Sequence, residues 1–357
     1  MKNMKLKTTI GITILLGAAL TAAGCGGKGN GSGSVSVPKA AMMSPVSDIE
    51  LINTEGKVLS DLTGQWIDQA LNDRRPMAVM INNIGEAMPQ SGIGQADVIY
   101  EMVVEGGITR LMAVYSDYSG LTKIGPVRSA RQYYVRSAEQ MDAVYCHVGG
   151  STLGYSEIES SGIDDLDGLT GVGNYFIYRD NSRVAPHNAY ASAEGLDSAI
   201  EHTGINMTHK SSYDPMFAFS SKNKDIENGS PASKITTAFS SSRAPWFEYN
   251  AEEKQYYRFQ YGDKQIDDQT GEQLHFQNVL ILFAETYSPD GYLMEVCNED
   301  SGDGYYASNG QYIPIRWRYE NGTVHYYLTS GEQLMMNPGK TWITFFDAEN
   351  TGGITFE

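Results

Sequence analysis

The chain has 357 residues, 26 basic and 43 acidic, for a formal net charge of −17 at pH 7. So acidic a chain excludes nucleic acid as a partner, because phosphate backbones are held by clustered lysine and arginine. Three cysteines without a CxxC pair or a Cys/His spacing exclude a zinc module, and no cofactor or metal is expected.

The N-terminus reads MKNMKLKTTIGITILLGAALTAAGCGGKG, with Lys2, Lys5 and Lys7 ahead of an apolar run from Ile10 to Ala23. The run is too short and too rich in Gly and Ala for a transmembrane helix, and it has the layout of a secretory signal. Ala22-Ala23-Gly24-Cys25 resembles the lipobox of bacterial lipoproteins. The resemblance implies cleavage before Cys25 and a lipid such as palmitate on its sulfur. Cleavage there removes three lysines and leaves a formal charge of −20. A bare anionic membrane would repel such a protein, so a covalent anchor is what holds it at the outer face. Residues 1–25 are thus the signal and lipobox, and 26–47, rich in Gly and Ser, a flexible tether.

From 48 to 210 strand and helix signals alternate. MAVMIN (77–82), ADVIYEMVVEG (96–106) and TRLMAVYS (109–116) read as strands, SARQYYVRSAEQM (129–141) as a helix and DAVYCHVGG (142–150) as a strand stopped by glycines. ASAEGLDSAIEHTG (191–204) has helical spacing and ends at Gly204. The pattern predicts an α/β domain with a mixed sheet. Residues 211–234 are polar and turn-rich and read as a linker. From 235 to 357, aromatic and branched runs recur about every ten residues between turns such as YGDK, SPDG, SGDG and ENG, which predicts a mostly β domain. NVLILFAE (278–285) is its most apolar strand and should be central. Cys146 and Cys297 sit in apolar strand-like runs, as buried free thiols do.

The runs RPMAVMINN (75–83), PQSGIGQADVIYE (89–101), EGGITR (105–110), IGPVRSAR (124–131), HVGGS (147–151), RDNSRVAPHN (179–188) and NPGKTWI (337–343) occur in this order. Together they resemble the YerB-type family of bacterial lipoproteins, whose members carry an N-terminal domain of unknown function followed by an associated C-terminal one. The resemblance implies an envelope lipoprotein of Gram-positive type. It implies no catalytic residues.

The candidate site is therefore read from the residues. Arg128 and Arg131 lie three apart at the expected start of a helix, with Arg136 beyond. Paired guanidinium forks favour a phosphate or carboxylate. HVGGS ends a strand at His147, with Gly149 and Gly150 allowing close backbone approach and Ser151 placed to cap a helix. Arg110 follows EGGIT, and the loop RDNSRVAPHN adds Arg179, Arg183, His187 and Asn188. Against a ligand stands a structural use: Arg128 and Arg131 paired with Glu101, Glu105 or Asp97, and His147 as a hydrogen-bonded core residue. Asp164, Asp165 and Asp167 lack the spacing of a calcium loop and read as a solvated acidic turn.

Two functions follow. The first is a lipid-anchored extracytoplasmic protein that binds an anionic cell-wall ligand or an envelope protein partner. The second is an enzyme acting on phosphorylated or glycosidic wall material, with Glu101, Glu105 or His147 moving protons.

Overall fold

The computed structural model describes residues 56–357. The expected signal, the lipobox with Cys25 and the whole tether, 26–47, lie outside the described residues. The described residues form one compact unit.

A hairpin of β1 (Lys57–Leu59) and β2 (Trp66–Asp68) leads into β3 (Met77–Asn82), β4 (Val98–Val104) and β5 (Ile108–Tyr115). Helix α1 (Gln132–Gln140), β6 (Val144–His147), α2 (Thr152–Ser161), β7 (Asp165–Asp167) and α3 (Ala193–Thr203) follow. The C-terminal half contributes β8 (Lys234–Thr237), β9 (Trp246–Asn250), β10 (Gln255–Gln260), β11 (Asn278–Ala284) and β12 (Ser301–Ser308). It closes with β13 (Gln311–Glu320), β14 (Thr323–Leu328), β15 (Thr341–Asp347) and β16 (Ile354–Phe356).

One eleven-stranded mixed sheet runs through both halves, in the order β13-β12-β11-β15-β4-β5-β3-β6-β7, with Ser230–Pro231 and β14 both pairing β13. The halves meet where β15 pairs parallel with β4, Thr341 beside Val98 and Thr344 beside Glu101. A mixed α/β half and a mostly β half are what the sequence pattern predicts. The shared sheet is the difference, and it arises because the apolar runs of β4 and β15 are buried on both faces and need neighbours on both edges. NVLILFA is central, held between β12 and β15.

The expected linker is tied down at two places. Ala218–Phe219 pairs with Met335–Met336, and Ser230–Pro231 with β13. A second, six-stranded sheet containing β10, β9, β8 and β16 covers one face of the large sheet, bringing Phe247 and Tyr256 into one core with Ile99, Leu111 and Trp342. The opposite face is covered by α1, whose Tyr133, Tyr134 and Ala138 pack with Met102 and Met112.

SGDG, read as a turn, is instead the first half of β12. A Cβ on Gly302 would sit 2.4 Å from the Phe283 carbonyl oxygen, and one on Gly304 2.4 Å from that of Ile281. The glycines there admit the neighbouring strand rather than bend the chain. Both helices beside the site have the caps their sequences signal: the Ser151 hydroxyl accepts from Gly154 N at 2.9 Å on α2, and Gly204 ends α3 at φ +72°.

Candidate functional site

Strands β3, β4, β6 and β7 run parallel, so their carboxyl ends share one edge of the sheet, where β5 begins. Ligands of α/β sheets bind at such edges. Arg110 stands there on β5, opposite Asn82 of β3 and Met102 of β4. Its side chain is buried, and Nη1 donates to the Ser129 carbonyl at 2.7 Å. Among the described residues no carboxylate lies within ion-pairing distance of it. Burial, and then the charges of Arg131 and Arg128, push its pKa down to about 10.

Arg128 does not lie on a helix face as expected. Helix α1 begins only at Gln132, and 127–130 is an extended segment threaded between β3 and the residues after β6. Arg128 N donates to Met80 O, Val148 N to Arg128 O and Ala130 N to Gly149 O. HVGGS thus holds the backbone of the arginine segment instead of presenting its own side chains. Among the described residues the Arg128 side chain makes one long hydrogen bond, Nη1 to Pro186 O at 3.4 Å, and its buried Nε has no partner. Burial and the neighbouring Arg131 lower its pKa.

Arg131 is neutralised. Its Nε lies 2.9 Å from both Glu105 oxygens, and Nη2 donates to Oε2 at 2.5 Å. Burial alone would raise the Glu105 carboxyl, but these hydrogen bonds and the Arg131 charge hold it low. Arg110, Arg128, Arg131 and Glu105 lie within electrostatic range of one another and together carry a net +2. Arg136 is elsewhere, enclosed by Glu157, Glu295 and Glu299.

The loop 179–188 folds back onto this edge. Arg179 donates to Asn188 Oδ1 at 3.1 Å, and Arg183 to the carbonyls of Ala87, Met88 and Pro89, so these three shape the loop. His187 reaches the cluster: Asn82 Nδ2 meets its Nδ1 at 2.7 Å, and burial followed by the Arg128 charge lowers its pKa. Asn82 was not singled out in the sequence; its only signal is a polar residue ending an apolar strand.

The proton-transfer candidates are not gathered here. Glu101 faces the other side of the sheet, fully buried against Arg258 at 2.7 Å with Thr109 and Asn83 on its second oxygen. Glu105 is taken by Arg131. His147 is fully buried between Gly149 O at 2.9 Å and Asp165 Oδ2 at 3.0 Å, so both ring nitrogens are engaged. It is the core histidine that the structural alternative describes. The acidic turn is also corrected. Asp165–Asp167 is strand β7, and the buried Asp167 accepts from Gly149 N, Leu169 N and the Tyr155 hydroxyl. Among the described residues no group of three or more side chains is placed to hold a metal ion.

Residues 62–206 match the family model "Protein of unknown function (DUF3048) N-terminal domain", and 235–343 match the corresponding C-terminal domain. The chain is 32% identical over 296 residues to "Putative lipoprotein YerB" of Bacillus subtilis (strain 168), covering 82% of this chain and 87% of that protein. This chain belongs to the DUF3048 family. A crystal structure of the YerB protein from Bacillus subtilis, 27% identical, superposes with a TM-score of 0.75 over 84% of this chain and all of the other. For this DUF3048 member the two family segments lie in one continuous sheet, and the arginine-bearing edge belongs to the N-terminal one.

Proposed function

We propose that the protein is a lipid-anchored extracytoplasmic binding protein, attached through Cys25 and using Arg110 and Arg128 to hold an anionic group. The anchor rests on the lipobox-like AAGC and on the lipoprotein name of its relative. No helix among the described residues is long and apolar enough to cross a membrane.

One observation carries the binding role. Arg110 is buried without a carboxylate beside Arg128, whose Nε lacks a partner, in a chain of net charge −17. Acidic residues to neutralise them are plentiful, and Arg131 and Arg136 have found theirs. Burying an unpaired guanidinium is costly, and a phosphate or carboxylate arriving from outside would supply the missing charge. Charge-assisted hydrogen bonds to an arginine pair contribute about 1.5–3 kcal/mol each. With Glu101, Glu105 and His147 occupied elsewhere, the geometry favours holding a ligand over transforming it.

Calorimetric titration of residues 47–357 with inorganic pyrophosphate tests the site. Binding that Arg128→Ala weakens at least about ten-fold supports the proposal; equal binding by both proteins refutes it. For the anchor, Cys25→Ser should move the protein from the membrane fraction to the soluble one.

A further inference from the structure

Across the sheet from Arg110, its neighbour Thr109 lines a different concavity. A cavity of about 370 Å³ is bounded by Thr109, Phe239, the turn 241–245 and Gln260–Gly262. A second, of about 660 Å³, is bounded by Ile84–Glu86 and Ile108. Arg243 and Tyr261 line both, so the two run into one groove.

The polar atoms of the groove have definite requirements. Gln260 is only 8% exposed; its Nε2 donates to Asn83 O at 3.3 Å, while its buried Oε1 has no partner and needs a donor. The Thr109 hydroxyl donates to Glu101 Oε1 and accepts from Asn83 Nδ2. The Tyr261 hydroxyl donates to Asn83 O at 2.8 Å and accepts from Arg243 Nη1 at 3.3 Å. Arg243 makes no ion pair among the described residues, which leaves its remaining donors open to an anion. The Tyr261 ring is 46% exposed, leaving a flat apolar face. It is held at a two-residue turn in which Tyr261 and Gly262 both have positive φ, +57° and +84°.

The geometry points to this groove as a binding site for an acidic oligosaccharide. A sugar hydroxyl satisfies Gln260 Oε1, a ring carboxylate meets Arg243, and the C–H face of a pyranose lies against Tyr261. A simple anion satisfies only the second, and a neutral sugar leaves Arg243 unmatched. The open, continuous groove accepts a chain rather than a single compact molecule. The Thr109 end of the groove lies on the face of β5 opposite Arg110; at the other end Ile108 is on the face that Arg110 shares, and Glu86 is within electrostatic range of His187.

The test is titration of residues 47–357 with a tetrasaccharide of alternating glucuronate and N-acetylglucosamine, beside neutral chitotetraose, followed by calorimetry and protein NMR shifts. The acidic chain should bind about ten-fold more tightly, and Arg243→Gln should reduce it to the level of the neutral one. Tyr261→Ala, with folding checked by thermal melting, should weaken both. Saturating pyrophosphate should leave the isotherm unchanged, which separates this site from the arginine cluster. Absence of binding by either oligosaccharide, an unchanged affinity in Arg243→Gln, or full displacement by acetate would overturn the assignment.

Discussion

Glu101 of β4 and Arg258 of β10 meet at 2.7 Å with both side chains fully buried, one from each half of the chain. The Arg258 guanidinium lies over the rings of Phe247 and Trp342, 4.6 and 4.5 Å from their centroids. Its Nε and Nη1 find no acceptor, so the aromatic faces carry the charge that hydrogen bonds do not. Burial raises the Glu101 pKa and lowers that of Arg258, each opposed by the other's charge.

Removing one member leaves the other charged and stranded. Glu101→Leu or Arg258→Met alone should lower stability by about 3–5 kcal/mol. The double variant should lose much less than the sum. Urea unfolding of the three proteins measures the coupling; strict additivity would mean that the pair does not act as a unit.

Arg110 should behave in the opposite way. Its pKa of about 10 lies below the ordinary 12.5, so folding disfavours its charged form. The cost is full at neutral pH, begins to fall as pH rises past about 10, and is gone only above the ordinary value of 12.5. Arg110→Met should therefore melt no lower than wild type, while pyrophosphate binding weakens. In the wild type, pyrophosphate affinity should also fall as pH rises through about 10. A large loss of stability in Arg110→Met would mark it as a structural residue.

Glu105 has a depressed pKa, so its contribution has the reverse sign. It is fully present above the ordinary carboxylate value of about 4.3 and is lost as pH falls through the depressed folded-state value. Glu105→Gln should cost about 1.5–3 kcal/mol at pH 7 and flatten the acid limb of the stability profile. A profile unchanged by the substitution would show that the Arg131 contact contributes nothing.

Gly304→Ala should destabilise by about 1–3 kcal/mol through overpacking, because its Cβ would meet the Ile281 carbonyl oxygen at 2.4 Å. Thermal melting against Gly291→Ala separates the effects: Gly291 has open space around it but a positive φ of +80°, so only backbone strain acts there.

Local signals of periodicity and capping were readable from the residues. Met77–Asn82, Asn278–Ala284 and Thr341–Asp347 fall where apolar runs place them, and Gly204 ends α3 where a glycine should. What was hidden depends on partners distant in sequence. Gly302 and Gly304 look like turn formers until Phe283 and Ile281 are brought beside them. Arg131 and Arg128 look equivalent until Glu105, 26 residues away from Arg131, takes one of them. Nothing local shows that β4 must pair with a strand whose partner residues lie 243 positions later, Thr341 for Val98, because an apolar run records its need for a neighbour but not which one.

That last pairing also shapes how the polypeptide comes into being. Whether it emerges from a ribosome or through a membrane, the amino end leads, and β4 waits with an unpaired flank until Thr341–Thr344 has appeared. β8 waits over a shorter stretch, from Ile235 to its partner Phe356 in the last of the described strands. Through most of synthesis an aggregation-prone edge is therefore open, and loss of the final twenty residues would leave both sheets incomplete rather than merely shorten a tail.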